Sequence, residues 1–154
     1  RMDIPSYGTG IVFDRSASGS YNYTAMTFRY NGSSVGGITI NTTSISISYS
    51  SDYRLKENRE DISDAIERVK ELKPVKFNWI KEPGKSKVDG FYAHELAEVV
   101  PEAVVGEKDA LDWEGNPHYQ SIDPTKIVPL LTAALQQAID KIEALELRIN
   151  KLEK

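Results

Sequence analysis

Apolar and polar positions alternate with a period of two through the first third of the chain. In Ser44-Ile45-Ser46-Ile47-Ser48-Tyr49 the alternation is strict, so Ile45, Ile47 and Tyr49 share one face of a strand and the serines share the other. Ala25–Tyr30 and Val35–Ile40 read as two further strands. Asn31-Gly32 joins them, and this dipeptide favours the positive-φ turn of a two-residue hairpin. Beyond residue 60 the period changes. Ile62, Ile66, Val69 and Leu72 make the stripe of a helix that opens at Asp61 among acidic residues and stops before Pro74. Val75–Ile80 alternates again as a strand, Lys81–Lys87 is a basic turn, and Asp89–Ala93 is a short returning strand. His94–Val100 predicts a helix halted by Pro101, and Trp113–Tyr119 a tight turn flanked by aromatics.

From Leu131 onward the apolar residues step by four and three. Leu135, Ile142 and Ile149 fall at a positions, and Leu131, Ala138, Leu145 and Leu152 at d. Lys141 and Arg148 then stand at g, and Glu146 and Glu153 at e. In a parallel coil the pairs 141–146 and 148–153 attract across the interface. The same stripe also suits a helix folded back on its own domain. Ile at a with Leu at d leans towards a dimer, but Ile139 at e widens the apolar face, so the pattern leaves stoichiometry open.

Composition divides the chain at the same seam. Residues 1–50 carry no charge after Arg29, whereas the remainder is rich in Lys, Glu and Asp. Fifty residues of Ser, Thr, Gly and β-branched side chains bury too little apolar surface to stand alone, so the strands predict an obligate oligomer. The reading is α+β: a β-rich segment over 1–50, a small α+β core over 51–122 and a C-terminal coiled-coil helix over 123–154. The net charge of -4 excludes a dedicated nucleic-acid binder. No apolar run approaches the roughly 20 residues of a membrane span. The chain has no cysteine, and no metal or cofactor is expected. His94-Glu95-Leu96-Ala97-Glu98 begins like a zinc-protease helix but has Glu98 where the second histidine belongs.

Ser51 and Lys56 sit five residues apart on the seam. A serine hydroxyl needs a base, and with only two histidines, His94 and His118, a Ser-His-Asp triad has few ways to form. A lysine serves if it can reach back to the serine, which requires residues 51–56 to turn. An idle solvated loop is the ordinary reading of such a pair.

Ser50-Ser51-Asp52-Tyr53-Arg54-Leu55-Lys56-Glu57-Asn58, with Leu72–Trp79 and Asp89–Leu96, resembles the intramolecular chaperone domain of phage tail fibres, tailspikes and endosialidases, the peptidase S74 family. The resemblance covers roughly residues 50 to 154. It implies a module that trimerises, guides folding of the β-rich fibre whose distal end is residues 1–50, and then cuts itself off between Ser50 and Ser51. Ser51 would be the nucleophile and Lys56 its base. Asp52, Glu57, Asn58, His94 and Glu95 are candidate supporting residues, His94 standing where many relatives carry Gln. The implied partners are two further copies of the chain and its own upstream fibre, with host-surface carbohydrate as a partner open to the mature fibre; Tyr7, Tyr21, Tyr23 and Tyr30 allow such a tip. The implied location is the host cytoplasm during assembly, then the virion tail. The alternative is a permanent oligomerisation module without chemistry.

Overall fold

The computed structural model describes residues 23–153, so residues 1–22 of the expected fibre end, with Tyr7 and Tyr21, lie outside the described residues. The chain divides into two compact units, with the division between Arg59 and Glu60.

The first unit is a three-stranded antiparallel meander of β1 (Tyr23–Tyr30), β2 (Ser33–Ile40) and β3 (Ile45–Tyr49). The β1–β2 turn is the expected one: Asn31 and Gly32 both take positive φ, 46° and 80°, as a tight hairpin between right-twisted strands requires. Between β2 and β3, the Asn41 carboxamide oxygen accepts from the backbone amides of Thr43 and Ser44 at 2.9 and 2.8 Å, closing an Asx turn. Register stacks apolar residues in rows across all three strands: Tyr23, Ile40 and Ile45; Met26, Ile38 and Ile47; Phe28, Gly36 and Tyr49. The opposite face carries Thr24, Thr39, Ser46 and Ser48. Among the described residues the apolar face is exposed, and Ile45, Ile47 and Tyr49 keep 71%, 63% and 62% of their surface exposed. At Gly37 a Cβ would stand 2.6 Å from the Met26 carbonyl oxygen, so β1 approaches closer than any other residue would permit.

The second unit gathers short elements around one core: α1 (Ala65–Glu71), β4 (Val75–Phe77), β5 (Val88–Gly90), α2 (Ala93–Ala97), β6 (Val104–Val105), β7 (Ser121–Ile122) and α3 (Val128–Leu152). β4 pairs antiparallel with β5, and β6 with β7. The buried residues are Ala65, Leu96, Val99, Val100, Ala103, Ile127 and Leu130, with Ile62, Val69 and Leu72 packed against them. Antiparallel sheets with a long C-terminal helix make the chain α+β, as its pattern predicts.

Several boundaries differ from the expectation. α1 starts at Ala65 rather than Asp61. β4 ends at Phe77 rather than Ile80, because the Glu82 amide bonds the Trp79 carbonyl and the chain is already turning. The returning strand ends at Gly90, and Ala93 opens α2, whose helical residues stop at Ala97. The aromatic-flanked turn forms as expected. Asp112 Oδ1 accepts from the amides of Glu114 and Asn116 at 2.9 and 2.8 Å, and Gly115 has φ 84°.

α3 presents two different faces. Leu130, Ala133, Ala134 and Gln137 follow the 3-4-7 spacing that packs a helix on its own domain. Gln137 Nε2 donates to the Ile62 carbonyl at 2.8 Å, and its Oε1 accepts from the Ile66 amide at 3.3 Å, satisfying an orphan donor at the start of α1. The heptad residues lie on another face, where Leu135, Ile142, Leu145 and Ile149 are exposed; from Ile139 to Leu152 every residue is exposed. Folding back and self-association thus need not compete for one surface.

Leu96 is one of the two largest fully buried side chains. Leu96→Ala is expected to cost about 2–5 kcal/mol through lost burial and the cavity left behind, measured by chemical denaturation. Leu147→Ala, on the exposed part of α3, should leave the unfolding free energy within about 0.5 kcal/mol.

Candidate functional site

The segment from Ser50 to Asn58 follows directly from β3. Asp52 keeps an extended backbone (φ -63°, ψ 138°) and caps a single 3-10 turn, Tyr53–Leu55. Its Oδ1 accepts from the Arg54 amide at 2.9 Å, which satisfies a donor at the start of the turn. The same carboxylate grips the Arg54 side chain at both oxygens, with Nε to Oδ1 and Nη2 to Oδ2 each at 2.9 Å. Such a bidentate pair fixes orientation as well as charge. The Leu55 and Lys56 amides bond the carbonyls of Asp52 and Tyr53 at 3.1 Å each, and the chain reverses.

That reversal brings Lys56 back to Ser51. Lys56 Nζ donates to Ser51 Oγ at 2.7 Å. Extended, residues 51 and 56 would be separated by some 17 Å of backbone; the 3-10 turn removes that distance. Ser51 and Lys56 are both exposed within the chain.

The acyl side of the seam is held differently. The Ser50 amide donates to the Val35 carbonyl at 3.2 Å, and Ser50 Oγ donates to the Ser34 carbonyl at 3.1 Å. The Ser50–Ser51 peptide bond is therefore flanked by a residue tied to the sheet and a residue tied to the turn.

The remaining candidates are dispersed. Glu57 is exposed after the turn, and Asn58 takes the left-handed conformation (φ 51°), which Asn tolerates better than most residues, redirecting the chain. His94 and Glu95 belong to α2 of the second unit. There His94 stacks on Tyr92 at 6.0 Å between ring centroids, and Tyr92 adjoins Phe77 and, through it, Trp79. Arg54 was not singled out by sequence, although Asp-x-Arg at the head of a turn is a readable signal. The two contacts of Ser50 have no local signal, because their acceptors are backbone carbonyls 15 and 16 residues away.

The fold and site together describe an α+β chain with a hydrogen-bonded serine and lysine on the segment that follows its sheet. Residues 51–105 match the family model of peptidase S74, the chaperone of endosialidase, a family of self-cleaving peptidases. The match begins at Ser51 and takes in Lys56, His94 and Glu95. No curated protein matches the chain.

Hydrogen bonding from the Arg54 side chain, and secondarily from its amide, holds the Asp52 carboxyl below the usual aspartate range. Because the folded value is lowered, the cap's contribution is complete above the unfolded value, about 3.9. It is lost as the pH falls through Asp52's own lower value. An NMR titration of the Asp52 carboxyl should show that low midpoint, and Arg54→Ala should raise it towards the ordinary one. A midpoint unmoved by Arg54→Ala would refute the assigned cause.

Proposed function

We propose that this chain is a self-cleaving intramolecular chaperone. It trimerises, guides folding of a phage fibre or tailspike, and releases itself by cutting between Ser50 and Ser51. The observation that carries this reading is the 2.7 Å contact between Lys56 Nζ and Ser51 Oγ at the first residues of the family match.

In the resting geometry the ammonium donates to the hydroxyl. As a neutral amine, Lys56 accepts the Ser51 hydroxyl proton over the same distance while Oγ attacks the Ser50 carbonyl carbon. The bond from that carbon to the Ser51 nitrogen then breaks, and the nitrogen takes the proton from Lys56. An ester between the Ser50 carbonyl and Ser51 Oγ remains, with a free amine on Ser51. Water hydrolyses it, leaving a carboxylate on Ser50 and restoring the Ser51 hydroxyl. Proton transfer of this kind contributes about 10²–10⁴-fold, which suits an event needed once per chain.

Trimerisation is supported by two uncovered surfaces of the right kind. The apolar face of the β1–β3 sheet would be buried against copies of itself, and the heptad stripe of α3 would form a parallel coiled coil with its 141–146 and 148–153 charge pairs in register. On this reading the sheet is the end of the mature fibre and travels with the virion tail, after assembly in the host cytoplasm. Loss of the helper leaves the fibre without its refolding guide, so persistence becomes kinetic.

Intact mass under denaturing conditions tests the chemistry. The parent is expected to yield two fragments meeting between Ser50 and Ser51, and Ser51→Ala and Lys56→Ala only full-length chain. Intact chains in all three, after long incubation of an assembled oligomer, would leave a permanent oligomerisation module in place of a peptidase. Association is tested separately by sedimentation of Ile142→Asp in the Ser51→Ala background. The variant should fall to a lower oligomeric state than Ser51→Ala alone, because a charge cannot be buried in the seam.

A further inference from the structure

Ser50 occupies an unusual position. It follows the last residue of β3, Tyr49, which pairs with Gly36, so Ser50 lies opposite Val35. Across the hairpin, Phe28 pairs with Gly36 and Arg29 with Ser34, which leaves Val35 without a partner on β1: a β-bulge. In a regular strand successive carbonyls point to opposite edges, and a single neighbouring residue cannot use two in a row. The bulge breaks that alternation. Ser50 takes both, the Val35 carbonyl through its amide at 3.2 Å and the Ser34 carbonyl through its hydroxyl at 3.1 Å.

The next residue is held by a separate device, the Asp52-capped turn that sets Lys56 against Ser51. Between the two anchors only the Ser50–Ser51 linkage is left to rotate. Attack requires the Ser50 carbonyl carbon to face Ser51 Oγ, and the double attachment of Ser50 fixes where that carbonyl starts. If the last residues of β3 have not zipped onto β2, the carbonyl swings free while the serine–lysine contact can already exist.

We propose that Ser50 is a positioning residue that couples closure of β3 on the β2 bulge to cleavage, its hydroxyl reporting that the sheet is complete to its final residue. This rests on the self-cleavage proposed above, and gives that site a dependence on the folded state of the fibre it trims.

Ser50→Thr and Ser50→Val provide the test, since they share a shape and differ in the hydroxyl donor. The first-order rate of cleavage is followed by intact mass in the full chain, and the assembled fraction of each variant is measured in the Ser51→Ala background. Thr should cleave within about twofold of the parent and Val roughly three- to tenfold more slowly, the range set by one net hydrogen bond, with equal assembled fractions. Thr and Val cleaving at equal rates would overturn this role alone. A Val defect matched by an equal loss of assembled protein would also overturn it, by making the hydroxyl a contributor to stability only. A parent that assembles but never cleaves would overturn the self-cleavage reading, and this role with it.

Discussion

The site depends on the reversal that Asp52 imposes on the five residues after it. A serine and a lysine at this spacing are ordinarily far apart, because an extended chain carries them away from each other. One carboxylate changes that by accepting from the Arg54 amide and gripping the Arg54 guanidinium, which starts a 3-10 turn just long enough to return Lys56 to Ser51. The turn has no buried residues and draws on no core. Its order comes from hydrogen bonds, and among the described residues Ser51 to Lys56 are all exposed.

The same economy runs through the rest of the molecule. The second unit has a true core, seven buried hydrophobic residues gathered from α1, α2, the segment after it and the start of α3. Among the described residues the sheet buries no hydrophobic side chain. The far part of α3 is exposed on every side, and a helix of this length without packing is marginal in water. Two surfaces of one chain therefore share a need for burial, one with the two-residue period of a strand and one with the seven-residue repeat of a coil. If the chain acts as proposed, as a chaperone of fibre folding, this division has a use. On the proposed reading the folded core is the platform on which copies assemble, and the sheet and the heptad stripe are the surfaces that assembly would bury.

Much of this was legible along the chain, for local reasons. Strict alternation placed Ile45, Ile47 and Tyr49 on one face, and the Asn31-Gly32 dipeptide named its turn. The heptad steps marked the face of α3 that stays exposed, since side-chain periodicity is a property of consecutive residues. Ser51 and Lys56 stood out through their place on the seam. Element ends were less legible. β4 was expected to run to Ile80, but a turn closed by the Trp79 carbonyl competes with the strand there, and alternation cannot register a backbone hydrogen bond.

The order of β1 to β5 and of the three helices, the α+β class and the identity of the serine and lysine came from sequence, because each rests on neighbouring residues or on a recognisable segment; β6 and β7, two residues each, carry no pattern of their own. Tertiary structure alone decided which surface of α3 its own unit uses, how Gln137 satisfies the start of α1, and how Ser50 is held. These depend on groups 15 to more than 70 residues apart, several of them backbone carbonyls and amides that every residue carries. A one-dimensional pattern distinguishes side chains. It cannot distinguish one carbonyl from another until the fold brings it within reach of a donor.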